Sequence, residues 1–570
     1  MRLRRIAVLA FLAIPFMAGT VVAQDTSRAQ RLAALRENLA AIHAFEERLS
    51  ESDKRIFSGG AQNLFTLART FASLEGRFGE EGPKDRALRG MLETESAADI
   101  SQRRVFVSNP ETDFFLSQTA GFTQSETSTA WCGNIVVVGY NDSGSVLETL
   151  VFGTGGLSFN GVARSTNRGA SFTDLLFVDP GPVINFTAGD PVVACTSPTT
   201  FYYSSLLSRP GASGIAVQKS GNGGLTWSAA VPVTLKPAPA HFLDKSWMAV
   251  DPTNANRLFV TYTDFDNSGT SVGCPNVGRV AIELVRSLDG GKTWEVPLVI
   301  DEVCRSPTLS FPFVQGSQVA VGPDGEVYVL WERYDDFSPT MFLDATDREI
   351  RSRKSVDSGA TFAAFTKVAD VFPIGDSFAI RGGFRTFLDL QSVAIDRSAG
   401  ASRGHVYVAF HDGGAVTIPD AFSDTGVYGF ADVMVSRSAN GGVTWDSSVK
   451  VNDNVEVGFG TDQYQPSVAV DPDGRVGSCF YDRRRDPANF QIDRFCTTSN
   501  DGGQTWSANI RQTARSFMPI HATDGIVNPV YMGDYDTLAN EFTLTLKGFV
   551  GAYSVIGPIA NPDVRASQLR

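Results

Sequence analysis

Ser287-Leu-Asp289-Gly-Gly291-Lys-Thr293-Trp294 is one of six copies of an octapeptide, Ser-x-Asp/Asn-x-Gly-x-Thr/Ser-Trp/Phe, found between residues 165 and 506. The other copies begin at Ser165, Ser220, Ser355, Ser438 and Ser499, and successive copies lie 55, 67, 68, 83 and 61 residues apart. Repetition of one short element along a chain is the sequence signature of a repeat architecture. The spacings fit a four-stranded unit with loops of variable length, so the pattern predicts a β-propeller of four-stranded antiparallel sheets.

The chemistry of the octapeptide is that of a hairpin turn. An Asp or Asn side chain accepts hydrogen bonds from nearby backbone N–H groups, and the Gly adopts the positive φ that a β-carbon disfavours. The closing Trp or Phe provides a large apolar face to bury between neighbouring sheets. None of these roles requires a substrate, so we assign all six copies a structural role.

The six octapeptides resemble the Asp-box, or BNR, repeats of the sialidase superfamily, and the resemblance covers roughly residues 120–555. The segments 244–251, 481–487 and 533–535 look like those of exported bacterial sialidase-like BNR proteins. In sialidases, as the resemblance implies, a Tyr paired with a Glu is the nucleophile, an Asp is the acid/base, and three Arg hold the substrate carboxylate. The Phe/Tyr-Arg-Ile-Pro motif that carries the first of these Arg is absent before the first octapeptide, so no catalytic residue is transferred by position.

Seven segments have the character of an innermost strand, one more than the number of octapeptides. They begin near Glu126, Asp190, Asp244, Gln315, Asp389, Gln465 and Asp534. We therefore favour seven blades, with six, the number that sialidases have, as the alternative. The outer strands of the seventh sheet would come from residues 104–108 or from the C-terminal tail, which ties the ends of the ring together and leaves no open sheet edge.

Strand direction predicts where polar side chains gather. The beginnings of the innermost strands and the loops between second and third strands should share the rim opposite the octapeptides. A ring of carboxylates around a concave mouth suits glycoside hydrolysis, because one acid protonates the leaving oxygen while a second group attacks or stabilises the sugar cation. The candidate catalytic residues are Glu126, Asp244, Asp534 and Tyr535, with Tyr531 as an alternative to Tyr535. The candidate substrate-binding residues are Asp190, Lys245, Arg333, Arg385, Tyr464 and Arg483. Acidic residues at such positions also bond backbone N–H groups of an adjacent blade, and that structural alternative stays open.

The first hundred residues have a different composition. Arg2, Arg4 and Arg5 precede an apolar stretch that ends at Ala23, which is typical of a cleaved export signal over residues 1–23. Within residues 24–100, apolar residues recur every three or four positions, as at Leu39, Ile42, Phe45 and Leu49, and again at Leu64, Leu67, Phe71 and Leu74, which predicts a helical hairpin or small bundle. Residues 101–570 form the propeller. No later segment is apolar enough to span a membrane, so we expect a periplasmic or secreted protein.

The six cysteines fit an oxidising compartment, where an even count indicates disulfide bonds. Alignment of the repeats favours the pairs Cys132–Cys195, Cys274–Cys304 and Cys479–Cys496, out of the 15 pairings that six cysteines allow.

A net charge of −13 argues against a nucleic-acid partner, because a polyanion is repelled unless the protein offers a basic face. The five histidines are scattered, which disfavours a zinc site, and we expect no cofactor. Calcium is the one metal ion for which the paired carboxylates Asp264–Asp266 and Asp335–Asp336 offer suitable ligands. The leading functional hypothesis is an exported, sialidase-like, glycan-active protein that hydrolyses glycosidic bonds. The alternatives are a propeller that binds a glycan or a protein without turnover, and an envelope scaffold. Oligomeric state is not predicted.

Overall fold

The computed structural model describes residues 37, 39–49, 54, 57, 61, 65, 68–69, 104–108, 123–181, 185–305, 312–335, 348–372, 374, 379–382, 384–385, 391–414, 418–419, 427–455, 460–519, 532–556 and 562–569. These residues form a seven-bladed β-propeller of four-stranded antiparallel sheets, as the strand count predicted. The innermost strands of successive blades contact one another around the complete ring.

Each blade has four strands, named from the innermost outward. Blade 1 contains Gln124–Cys132, Ile135–Asp142, Asn160–Ser165 and Thr173–Phe177, and blade 2 contains Val192–Cys195, Phe201–Arg209, Ala212–Ser220 and Val231–Pro237. Blade 3 contains His241–Asp251, Asn254–Asp266, Arg279–Ser287 and Leu298–Cys304, and blade 4 contains Phe313–Val321, Val327–Tyr334, Arg348–Ser355 and Thr366–Asp370. Blade 5 contains Ser392–Ile395, Val406–Asp412, Asp432–Ser438 and Val449–Lys450, and blade 6 contains Gln463–Val470, Val476–Asp482, Asp493–Ser499 and Ile510–Arg511. Blade 7 contains Leu538–Asn540, Phe549–Ile556, Pro562–Leu569 and Arg104–Phe106.

Blade 7 closes the ring with strands that lie far apart in the sequence. Its third strand is C-terminal, and its outermost strand, Arg104–Phe106, pairs with residues 565–567 of that strand. The sequence prediction named residues 104–108 and the C-terminal tail as alternative sources of outer strands. Each of them contributes one strand to blade 7. Closure of this kind joins the first and last sheets so that no ring edge is left open.

The remaining elements lie outside the four-stranded blades. Leu157–Ser158 and Phe186–Thr187 extend the sheet of blade 2, Ala379–Ile380 pairs with Phe384–Arg385, and Ile418–Pro419 pairs with Val427–Tyr428. A helix, Gly144–Phe152, follows the second strand of blade 1 and was not predicted.

Each octapeptide forms the turn between the third and fourth strands of its blade, as predicted. In blade 3, Ser287 Oγ donates to Asp289 Oδ1 at 2.9 Å and accepts from the Gly291 N–H at 2.9 Å. Thr293 donates both its N–H and its hydroxyl to the same carboxylate, at 3.0 and 2.6 Å. These hydrogen bonds hold the pKa of Asp289 far below its usual value, the hydroxyl of Thr293 contributing most. We call this rim the octapeptide face and the opposite rim, where the innermost strands begin, the front face.

The three predicted disulfides are confirmed. Cys132–Cys195 joins the innermost strands of blades 1 and 2, Cys274–Cys304 lies within blade 3, and Cys479–Cys496 links two strands of blade 6. Three disulfides are consistent with an extracellular or periplasmic protein.

Part of the N-terminal region packs on the front face. Residues 39–46 are helical, and Leu39, Ile42, Phe45 and Leu49 are buried, as their spacing predicted. The second predicted apolar face, at Leu64, Leu67, Phe71 and Leu74, lies outside the described residues, as do the proposed signal at 1–23 and Asp389. Among the helices of the described residues, none is long and apolar enough to cross a bilayer.

Candidate functional site

A repeated backbone irregularity marks the front-face ends of the innermost strands. In blades 1, 3, 4 and 6, pairing with the second strand is interrupted by a bulge, which in blade 1 lies between Ser125 and Ser128. The bulges of blades 1, 3 and 6 contain non-glycine residues with positive φ, namely Glu126 at 53°, Lys245 at 53° and Gln465 at 49°. Asp190, just before the innermost strand of blade 2, has φ 52°. Positive φ is uncommon for such residues, and bulges re-aim side chains next to active sites.

These bulges bring carboxylates from three consecutive blades, 7, 1 and 2, to one place. The Lys245 ammonium of blade 3 lies 3.6 Å from Glu126 Oε1 and 3.4 Å from Asp534 Oδ2. Asp190 lies near enough to Glu126 for its negative charge to act on that carboxyl group. Tyr535 completes the group, because the Lys245 ammonium lies 4.1 Å from the centre of its ring. We call Glu126, Asp190, Lys245, Asp534 and Tyr535 the axial cluster, and all five side chains are buried.

Asn141 fixes two members of the axial cluster. Its Nδ2 donates to Glu126 Oε2 at 2.8 Å, and its Oδ1 accepts from the backbone N–H of Asp190 at 2.9 Å. The backbone N–H of Asp534 donates to Glu126 Oε1 at 3.3 Å. Glu126 is thus held from blades 1 and 7 at once, which defines the orientation of its carboxyl group.

Burial raises the pKa of Glu126 well above its ordinary value. Lys245 opposes that rise, whereas Asp190 and Asp534 add to it, because one ammonium does not offset three buried carboxylates. The pKa of Lys245 is raised in turn: burial alone would lower it, but Glu126, Asp534, Asp190 and Asp244 together outweigh burial. The cluster therefore holds a charged lysine, and its surroundings favour the protonated form of Glu126.

Tyr535 is held as a neutral phenol. Its hydroxyl donates to the Pro191 carbonyl at 2.9 Å, and its ring packs edge-on against Trp247 with centroids 5.4 Å apart. Burial, followed by the charges of Glu126 and Asp190, raises the pKa of Tyr535 well above 10. A phenol in these surroundings is better suited to holding Lys245 in place than to nucleophilic attack.

Blade 4 contributes a second buried carboxyl group, that of Glu332, near the axial cluster. Tyr334 donates to Glu332 Oε2 at 3.0 Å and accepts from Arg348 Nη2 at 2.9 Å. Burial raises the pKa of Glu332 to about 8, against the opposing effects of Arg348 and Lys245. Glu332 is therefore a second carboxyl group that is largely protonated at neutral pH.

The structure brings together five of the ten predicted site residues in the axial cluster. Asp244 lies next to Lys245 and accepts from Gln315 Nε2 at 3.0 Å. Arg333 lies apart from the cluster and pairs with Asp301 and Asp335, at 3.3 and 2.8 Å.

Two further predicted residues, Tyr464 and Arg483, belong to a separate buried group in blade 6. Arg483 donates to the carbonyls of Arg381 and Asn489, at 2.8 and 2.6 Å. Its guanidinium lies 5.8 Å from the centre of the Tyr464 ring. The side chain of the tenth, Arg385, lies outside the described residues.

Asp264 and Asp266 do come together with a histidine. The ligand atoms of His241, Asp264 and Asp266 lie within 4.8 Å of one another. Lys236 and Arg279 already pair with Asp264, at 2.7 and 3.6 Å, and so supply the positive charge that a cation would bring. Calcium binding stays a prediction, and at this position these two side chains compete with it. Asp336, of the second predicted pair, lies outside the described residues.

Aromatic side chains of the N-terminal region cover the front face next to the axial cluster. Phe45 stacks on Phe242 with ring centroids 5.2 Å apart, and Phe57 contacts Phe265 at 4.1 Å. Phe242 precedes Asp244 by two residues in the innermost strand of blade 3. The segment therefore forms part of the wall around the candidate site.

Comparison with known proteins finds only distant structural similarities. No known family model matches the chain, and no curated protein matches it. Solved structures align with this chain only at low similarity. A protein of unknown function from Dyadobacter fermentans aligns at 14% identity and TM-score 0.39, covering 82% of this chain and 98% of the other. A Hadza microbial sialidase aligns at 13% identity and TM-score 0.39, with coverages of 77% and 74%. A Fusarium graminearum α-L-arabinofuranosidase aligns at 14% identity and TM-score 0.38, with coverages of 67% and 91%.

Proposed function

We propose that this protein is a glycan-active propeller that hydrolyses glycosidic bonds at the axial cluster. The observation that supports this proposal is the meeting of Glu126, Asp190 and Asp534 around one buried ammonium. Glu126 and Asp534 each lie within hydrogen-bonding or ion-pairing reach of the same nitrogen atom. At 3.6 and 3.4 Å from that nitrogen, the two oxygens are at most about 7 Å apart, which is compatible with the separation of about 5–5.5 Å in retaining glycoside hydrolases.

The two carboxyl groups would have different roles. Glu126 is the acid that protonates the leaving oxygen, because burial raises its pKa and so favours its protonated form. Asp534, paired with Lys245, is the second carboxylate and stabilises or attacks the sugar cation. Asp190 maintains the raised pKa of Glu126 through its negative charge, and Tyr535 positions Lys245.

The same site does not favour an acidic sugar at the cleavage point. Binding of a substrate carboxylate requires arginine side chains that point towards it. Arg333 is paired with Asp301 and Asp335, and Arg483 is buried against backbone carbonyls and Asp462. An uncharged sugar is therefore a better match than sialic acid.

A second candidate function is a binding propeller without turnover, and the near-complete burial of the axial cluster favours it. In that case the five side chains hold blades 1, 2, 3 and 7 together, and ligands bind elsewhere. The two candidates differ in what loss of the Glu126 carboxyl group does to activity.

The test is a screen of the purified protein against neutral polysaccharides and sialosides, with release of reducing ends as the readout. Glu126→Gln and Asp534→Asn should each lower the rate on any cleaved substrate by at least 100-fold, the usual scale of an acid/base contribution. Glu148→Gln is the matched control, since Glu148 is also a buried carboxyl with a raised pKa but lies in the helix Gly144–Phe152. Full activity in Glu126→Gln, or no cleavage of any substrate, would leave the binding propeller as the function.

A further inference from the structure

Each octapeptide covers part of the preceding blade. Its central glycine lies against a side chain in the second strand of the preceding blade. In blades that have an octapeptide, the octapeptide serine pairs with a second-strand residue, and the contacted side chain belongs to the residue after that one. A β-carbon at Gly359 would lie 3.1 Å from Phe259, and one at Gly442 would lie 3.1 Å from Tyr328. The other four pairs are Gly169 with Val550, Gly224 with Val137, Gly291 with Tyr202 and Gly503 with Tyr407. The six octapeptides therefore cover blades 7, 1, 2, 3, 4 and 5.

Blade 6 is left without this cover, because blade 7 has no octapeptide. The covered position in blade 6 is Gly477, since Val476 pairs with Ser499, the octapeptide serine of that blade. The ring of Phe549 from blade 7 lies against it, and a β-carbon at Gly477 would be 2.9 Å from that ring. On the octapeptide face, a cleft of about 570 Å³ opens between blades 6, 7 and 1, within the usual size range of ligand sites.

The cleft has an apolar lining and a charged one. Leu546 contributes partly exposed apolar surface, whereas the neighbouring Trp131, Phe549 and Val550 are almost fully buried. The charged residues that line it are Arg168, Asp471, Asp473, Arg475 and Lys547. Three cations against two carboxylates make this cleft locally positive in a chain whose net charge is −13.

Two of these cations are already paired, and one is not paired with a carboxylate in the structure. Arg475 lies 3.1 Å from Asp471, and Lys547 lies 2.7 Å from Asp473. Arg168 is exposed and donates its Nε to Asn134 Oδ1 at 2.8 Å. Among the described residues no carboxylate lies within ion-pair distance of Arg168, so its planar fork remains suited to a carboxylate from outside.

We infer that this cleft binds an acidic oligosaccharide, with uronic acid units. The C–H faces of the sugar rings would pack on Leu546 and on the aliphatic stems of the charged side chains, while their hydroxyl groups bond the polar side chains. The carboxylates of the sugar would meet Arg168 and Lys547 at the rim. This site lies on the face opposite the axial cluster, and binding there requires no turnover. The inference is therefore independent of the proposed hydrolase activity.

The experiment is isothermal titration of the whole protein with trigalacturonic acid, with maltotriose as the uncharged control. We expect binding of the acidic trisaccharide, weakened at least tenfold in Arg168→Gln/Lys547→Gln and weakened by added salt. Both side chains are exposed, so the variant should keep its fold, which near-ultraviolet circular dichroism verifies. Arg403→Gln, which removes another exposed, paired arginine from a first-to-second-strand turn, is the matched control and should bind as the wild type does.

Three results would overturn the inference. One is the absence of binding to trigalacturonic acid, and another is equal affinity in the wild type and the double variant. The third is displacement of the trisaccharide by equimolar inorganic phosphate, which would reveal a simple anion site that does not recognise the sugar.

Discussion

Replacement of Lys245 by Met tests the electrostatics of the axial cluster. The side chain is almost fully buried and is the only ammonium placed among Glu126, Asp190 and Asp534 in the described residues. Methionine retains much of the volume, so the change removes the charge with little loss of packing. Removal of one partner from a buried ion pair costs about 3–5 kcal/mol, because an uncompensated charge is left behind.

The stability lost in Lys245→Met should depend on pH. Without Lys245, the buried carboxyl groups around it lose the positive charge that favours their ionised forms, so the folded state binds more protons than the unfolded state. Stability then falls as pH rises, at up to about 1.4 kcal/mol per pH unit for each such group. We expect the loss in Lys245→Met to be small near pH 5, where protons replace the ammonium, and large at pH 8.

Urea denaturation at both pH values measures the effect. Lys219→Met is the matched control, because its ammonium also lies over a tyrosine ring, at 5.1 Å, but the side chain is exposed. We expect that control to cost less than about 1 kcal/mol at either pH. Addition of Asp534→Asn should restore part of the stability lost in Lys245→Met, because it removes a carboxylate that Lys245 pairs with. A loss in Lys245→Met that is equal at pH 5 and pH 8, or that Asp534→Asn does not reduce, would refute the proposed cluster.

Two further predictions concern other carboxylates. Burial raises the pKa of Glu148 to about 9, so its folded form binds a proton that the unfolded form releases above about pH 4.5, and stability declines between those values. Glu148→Gln should therefore flatten the melting temperature from pH 5 to 9, and an unchanged slope would contradict this reasoning. In the third octapeptide, Asp289→Asn should leave the melting temperature at pH 7 nearly unchanged, since Asn occupies this position in three other copies, whereas Asp289→Ala should lower it. Because the pKa of Asp289 is depressed, the loss in Asp289→Ala should shrink as pH falls below about 4; a loss independent of pH would argue against an ionised Asp289.

The fold follows from local chemistry that the sequence displays. Each octapeptide is a turn with its own hydrogen bonds, so its position along the chain fixes where third and fourth strands meet. The count of innermost strands then indicated a seventh blade, and the need to close its edge indicated strands from the ends of the chain. The helix Gly144–Phe152 was not predicted, because its apolar residues fit a loop between two strands of blade 1 equally well.

The site was predictable only in part. Glu126, Asp190 and Asp534 were found because they stand where innermost strands begin, and strand direction brings those positions to one rim. The positive φ of Glu126 and Lys245 has no sequence signal, since neither residue type favours that conformation. Tyr334 and Arg348 were not predicted as a pair because they meet only through a strand pairing between residues 14 positions apart in the sequence.

The central claim is that ring closure places a proton on Glu126 and so supplies an acid at the propeller axis. Infrared difference spectroscopy between the wild type and Glu126→Gln tests it at neutral pH. We predict a C=O stretching band of a protonated carboxylic acid in the wild type that is lost in the variant. If the variant instead loses only the bands of an ionised carboxylate, Glu126 is not the acid and the proposed mechanism is wrong.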